Sequence, residues 1–191
     1  ICIVYDCLFP WTIGGADRWY RNLAESLVGE GHQVTYLTLR QWDEPPLVQG
    51  VEIIAVGPRM QLYSNGKRRF LPPLRFGLGV LLHLLRYGHR YDVVHTASFP
   101  YFSLLAAGLA RVRSGYRIVS DWHEVWSPEY WKEYLGPLGL IGVLVQWLCA
   151  RVPQKAYAFS QLHVTRLERL GLHPVTQLTG EYAPASQPLC H

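Results

Sequence analysis

The chain has 191 residues and a mass of 21.9 kDa, with 49% hydrophobic and 17% charged residues, a balance that excludes a disordered or fibrous protein and fits a single domain with one core. Eighteen Lys and Arg against fourteen Asp and Glu leave a net charge of +4, which suits an anionic ligand or surface without implying nucleic acid. Four scattered cysteines, Cys2, Cys7, Cys149 and Cys190, include no C-x-x-C pair and read as reduced thiols.

Ile1 to Asp6 is a short apolar run rich in β-branched residues, which predicts a buried central strand. It carries no charged n-region and no cleavage site, so a cytoplasmic protein without a secretory signal is expected. After the loop Cys7 to Gly15, the apolar residues Tyr20, Leu23, Ala24, Leu27 and Val28 recur with helical spacing, and Gly31 closes that helix. Strands follow at Val34 to Leu39 and Val51 to Val56. A Gly-, Pro- and Arg-rich segment then leads to a helix from Leu74 to Tyr87. Next come a strand at Tyr91 to His95, a helix at Tyr101 to Val112 and a strand at Tyr116 to Ser120. Pro137 opens a helix that stops before Pro153. The uncharged run Tyr134 to Ala150 within this region carries Gln146 and is shorter than the roughly 20 apolar residues that cross a bilayer. A strand at Ala156 to Phe159, a helix at Gln161 to Leu170 capped by Ser160 and Gly171, and a strand at Val175 to Leu178 complete the series. Seven strands alternating with five helices predict one α/β domain over 1–191: a doubly wound, mostly parallel, Rossmann-like sheet with helices on both faces.

Such sheets bind ligands beyond the carboxyl ends of their central strands, so the loops there are where chemistry is expected. The first loop ends in Gly14-Gly15 and opens directly into a helix. That arrangement suits backbone N–H groups approaching a phosphate, or equally a turn that needs a residue with positive φ. It is neither a dinucleotide G-x-G-x-x-G fingerprint nor a P-loop. The loop after the fifth strand runs Asp121-Trp122-His123-Glu124-Val125-Trp126, and residues 121–134 hold five aromatics where the whole-chain 13% predicts about two. Aromatic rings beside carboxylates and a histidine suit a sugar, while Trp122, Trp126 and Trp131 equally suit packing over the sheet. His95, ending a central strand, either faces the same crevice or is a core histidine. His123-Glu124 has Ser127 where a zinc protease needs its second His, and there is no Gly-x-Ser-x-Gly elbow, Cys/His cluster or D-x-D pair, so no metal or cofactor is implied.

Taken together, Pro10 to Ala16 with its helix, Gly31-His32-Gln33-Val34, Tyr91-Asp92-Val93-Val94-His95, the His123 loop and Phe159-Ser160 resemble the N-terminal domain of family 4 glycosyltransferases, retaining enzymes of the two-domain GT-B type. The resemblance implies that Gly14 and Gly15 lie against the diphosphate of a nucleotide-sugar donor and that His123 stands near the reacting sugar as the catalytic residue. It also implies that Trp122, Glu124, Trp126 and His95 belong to the acceptor or sugar site. A C-terminal donor domain with paired glutamates would complete the enzyme, and the isolated domain would be inactive. Thr179-Gly180-Glu181-Tyr182-Ala183-Pro184 departs from the family's more usual Asn-Gly turn. The expected partners are a nucleotide sugar, a carbohydrate or lipid-linked acceptor, and no nucleic acid. Lys67-Arg68-Arg69 and Arg75 beside the helix bearing Leu78, Leu81, Leu82 and Leu85 suit either an anionic membrane surface or a solvated loop over a core helix. The alternatives are a non-catalytic carbohydrate- or nucleotide-binding module and an epimerase or phosphorylase on a similar frame.

Overall fold

Seven strands form one sheet in a computed structural model that describes residues 1–44, 46–64, 67–69 and 71–179. They are β1 (Cys2–Val4), β2 (Val34–Leu39), β3 (Val51–Gly57), β4 (Val93–Ala97), β5 (Arg117–Trp122), β6 (Lys155–Ala158) and β7 (Val175–Gln177). Their order across the sheet is β3-β2-β1-β4-β5-β6-β7, with every pair parallel. Every residue of β1 and β2 is buried, as expected of strands covered on both faces. The predicted turn at 180–184 and Cys190 lie outside the described residues, as do the side chains of Lys67 and Arg68, whose backbone pairs with Tyr63–Ser64 in a short hairpin.

The chain moves one way across the sheet from β1 to β3, then returns to the other side of β1 for β4. Right-handed crossovers therefore place α1 (Gly15–Gly29) on one face and α2 (Leu71–Tyr87), α3 (Phe102–Ser114), α5 (Gly139–Arg151) and α6 (Gln161–Arg169) on the other. The reversal between β1 and β4 opens a crevice at the carboxyl ends of these strands. Tyr20 and Ala24 of α1 are fully buried, and Leu23, Leu27 and Val28 pack around them, so the predicted apolar stripe is the face that meets the sheet. Gly31 and Gly171 both adopt positive φ after their helices, as the sequence predicts.

Two differences from expectation bear on the site. β5 continues two residues past Ser120, through Asp121 and Trp122. A sixth helix, α4 (Pro128–Leu135), occupies what reads as loop. Ser127 caps it by accepting from the Tyr130 N–H, Pro128 begins it and Glu129 sits in its first turn. The segment Pro128–Arg151 is long and apolar enough by composition to cross a membrane. A 3₁₀ turn at Gly136–Leu138 breaks it, however, and α4 packs on α5. The contact is close enough that a Cβ on Gly142 would stand 2.2 Å from the Trp131 ring.

Candidate functional site

Alternation along β5 sorts the aromatic loop onto two faces. Asp121 and the next residue of like parity, His123, point to the α1 side, whereas Ser120 and Trp122 point to the α3–α5 side. Trp122 is fully buried there, and its indole N–H donates to Ser120 Oγ at 3.0 Å and to Gln154 Oε1 at 3.2 Å. It is core, and its expected place in a sugar site is corrected: a ring with no exposed surface offers nothing to a ligand. Trp131 is likewise buried.

On the α1 side, Asp121 lies buried between two strands and a helix. His95 Nε2 from β4 stands 2.9 Å from Asp121 Oδ2, and the Trp19 indole N–H of α1 donates to the same oxygen at 3.0 Å. The His95 contact is close, but Nε2 is poorly aligned for a hydrogen bond. His123 stacks on Phe159, with ring centroids 4.3 Å apart and planes 14° apart, and meets the edge of Tyr20 at 6.0 Å. Tyr20 also meets His95 at 6.1 Å and stacks on Tyr5, whose hydroxyl donates to Asp17 at 3.2 Å. His95 and His123 thus share one site, and its centre, Asp121, with Trp19, Tyr20 and Phe159, goes beyond the residues the sequence singles out.

Burial pushes the Asp121 carboxyl up, but His95, the Trp19 N–H and His123 outweigh it and hold the group below its usual range. Burial pushes the His123 imidazole down. Asp121 opposes that push, and His95 and His163 add to it, leaving His123 below its ordinary value and neutral near pH 7. Its Nε2 is buried with no hydrogen-bond partner among the described residues. A buried carboxylate beside a neutral histidine on a crevice wall is an arrangement that can orient and polarise a hydroxyl.

The glycine loop lies at the start of α1. Gly14 is extended, with φ −153° and ψ 165°, and neither it nor Gly15 has positive φ, so the strained-turn reading does not hold. The first intrahelical bond runs from the Arg18 N–H to the Gly14 carbonyl, leaving the N–H groups of Gly15, Ala16 and Asp17 without partners in the helix. A Cβ on Gly15 would meet nothing within 4 Å. A cavity of about 450 Å³ beside this loop is lined by Tyr5, Thr12, Gly14, Asp17 and Gln61 among others. Among the described residues its charged group is a carboxylate, engaged by Tyr5, and no cation lines it.

At the lip of the crevice, Trp126 is half-buried and its indole N–H donates to the exposed Glu124 at 2.8 Å. Phe99, Tyr130, Trp131 and Tyr134 surround Trp126 at 4.6 to 5.4 Å. Gln146 of α5 anchors this group from below: its Oε1 accepts from the Trp126 N–H and the Tyr101 hydroxyl, each at 2.9 Å, and its Nε2 donates to the Trp126 carbonyl. Among the described residues no three His, Cys, Asp or Glu side chains are grouped to hold a metal ion. A cavity of about 810 Å³ lies beside Ile1 and His32 at the opposite edge of the sheet, away from the carboxyl ends where such folds bind ligands.

A parallel sheet with strand order 3-2-1-4-5-6-7 and polar groups at its reversal point defines a Rossmann-like α/β domain. The family model of Glycosyltransferase Family 4 matches residues 13–177, and the chain belongs to that family. HepE (Alr3699) of Anabaena, solved in complex with UDP and glucose, shares the fold with a TM-score of 0.56 at 13% identity, over 95% of this chain and 44% of its own. The chain thus spans under half the length of HepE. WaaG, a glycosyltransferase involved in lipopolysaccharide biosynthesis, aligns with a TM-score of 0.36 at 14% identity over 95% of this chain and 70% of its own. No curated protein sequence matches the chain.

Proposed function

We propose that the chain is the N-terminal, acceptor-binding half of a retaining glycosyltransferase whose donor-binding half lies in a further C-terminal domain. What supports this is the family membership together with one observation: a neutral, stacked His123 beside the His95–Asp121 pair at the carboxyl edge of the central strands. In this reading the bond from the anomeric carbon to the donor diphosphate breaks, and a bond to the acceptor oxygen forms on the same face of the sugar. The acceptor proton passes to the departing diphosphate oxygen. His123 hydrogen-bonds the donor sugar, while Asp121 and His95 hold the electrostatics around it. The open N–H groups of Gly15 and Ala16 face the diphosphate, aided by the helix dipole. Glu124 and Trp126 offer the acceptor a carboxylate and a ring at the lip of the crevice.

The test is a panel of nucleotide sugars and carbohydrate or lipid-linked acceptors with the full-length protein, the product being read by mass and by the coupling constant of its anomeric proton. A new glycosidic bond with the donor's configuration supports the reading. Inverted product overturns the retaining mechanism, and ligand binding without any product favours a non-catalytic module.

A further inference from the structure

Three neighbouring helices leave an apolar outer surface. On α2, Leu74, Leu78, Leu82 and Leu85 form a ridge of exposed side chains, with Leu82 60% exposed. On α3, Leu109 and Val112 continue it, Val112 being 91% exposed, and on α5 Leu140, Leu144, Trp147 and Leu148 extend it further, Leu140 being 79% exposed. The helices are contiguous on one side of the sheet. α2 meets α3 where a Cβ on Gly77 would stand 2.6 Å from Phe102, and α3 meets α5 through Tyr101, which bonds Gln146 and accepts from the Cys149 thiol. A soluble helix normally turns such leucines inward.

The charges on this surface have one sign. No Asp or Glu occurs anywhere in α2, α3 or α5. Arg75, Arg86, Arg113 and Arg151 are all exposed, and Arg151 stacks over Trp147 with 4.6 Å to the ring centroid. Because each helix runs back against its strand, Arg86, Arg113 and Arg151 gather along one rim at the amino edge of the sheet. The helix dipoles account for an arginine in each last turn, but not for the exposed leucines or the missing carboxylates. Beside α5, Glu129 of α4 shares a shallow pocket with Lys132 and Leu140. A symmetric contact with a second copy would bury these arginines with no carboxylate on the face to pair them.

We propose that the α2–α3–α5 face seats this protein on an anionic lipid bilayer. The exposed leucines and Trp147 enter the boundary between headgroups and acyl chains, and the arginines snorkel to the lipid phosphates. This placement is independent of the transfer chemistry and moves the expected basic contact from the 67–69 segment to the helical face.

The experiment is flotation of the full chain with vesicles of phosphatidylcholine alone and of equal parts phosphatidylcholine and phosphatidylglycerol. The protein is expected to float with the anionic vesicles and far less with the neutral ones. Arg86→Gln and Arg113→Gln are each expected to lower the partition coefficient about five-fold. Leu78→Gln combined with Leu82→Gln is expected to lower it at least about ten-fold, and, being exposed, to leave the melting temperature unchanged. Quenching of the unmodified protein's tryptophan emission by brominated acyl chains, lost in Trp147→Phe, supplies a readout that needs no weakened variant. Absence of flotation and quenching overturns the proposal, as does binding indifferent to the leucine pair. A lipid-free dimer that the leucine pair disperses overturns it in favour of a second copy.

Discussion

Replacing Gln146 by Leu tests how the aromatic lip is held. Gln146 is buried in α5, and its Oε1 faces three donors: the Tyr101 hydroxyl and the Trp126 N–H at 2.9 Å and the Trp131 indole at 3.3 Å. An amide oxygen has two lone pairs, so the 3.3 Å contact is the weak one. Leucine fills nearly the same space but strands the Tyr101 hydroxyl, the Trp126 N–H and the Trp126 carbonyl. Each stranded group costs about 1–3 kcal/mol, the half-buried Trp126 groups falling at the low end. Leucine regains a little by transfer, so the net loss is roughly 3 kcal/mol. For a domain of this size that lowers the melting temperature by about 6–12 °C. In urea the midpoint should fall while the slope stays constant. Tyr101→Phe, which removes one donor and leaves the others paired, should cost only about 1 kcal/mol, and the two changes together should cost less than their sum. A Gln146→Leu midpoint within about 1 kcal/mol of the wild type would refute the hub.

Other consequences follow from the site. Asp121 raises the His123 pKa against burial, so Asp121→Asn should move the His123 ring-proton titration further below its ordinary 6.5; an unmoved titration would uncouple the two groups. Burial also lowers His83 and His163, and with His123 these rings stay neutral in the folded state where the unfolded chain takes up protons. Their contribution to stability is present above pH 6.5 and is lost as pH falls toward the folded values. Asp121, held below 3.8, adds a second loss in stronger acid. The urea midpoint should therefore drop between about pH 7.5 and pH 5.5, less steeply in His123→Gln, and a midpoint that rises instead contradicts the assigned direction. Gly15→Ala meets no atom and needs no unusual φ, so it should fold normally while weakening donor use in the full-length protein. Unchanged donor use in a steady-state KM measurement would remove the glycine loop from the donor site.

Period and punctuation made the sheet readable: short β-branched runs, the Tyr20–Val28 stripe and the capping Gly31 and Gly171 all keep their expected roles. The site was readable only in outline. His95 stands out because it lies near the carboxyl end of a central strand and His123 because it follows one, but ending β5 at Ser120 hides the alternation that sends Asp121 and His123 to one face and Trp122 to the other. The surplus of aromatics suggests a sugar platform, yet burial takes Trp122 and Trp131 into the core and leaves Trp126 half-exposed. Gln146 looks like a mere interruption of an apolar run because its partners, Tyr101 and Trp126, lie 45 and 20 residues away. The start of α4 at Ser127-Pro128-Glu129 carries a cap, a proline at the first helical position and an acidic first turn, local signals outweighed by the ring-rich composition around them.

The reading of His123 as the catalytic group is tested most directly by turnover of full-length His123→Ala against the wild type, with the donor and acceptor that support sugar transfer. The kcat of the folded variant is expected to fall at least about a hundredfold. A variant that turns over at close to the wild-type rate would contradict it and reduce His123 to a ring that packs on Phe159.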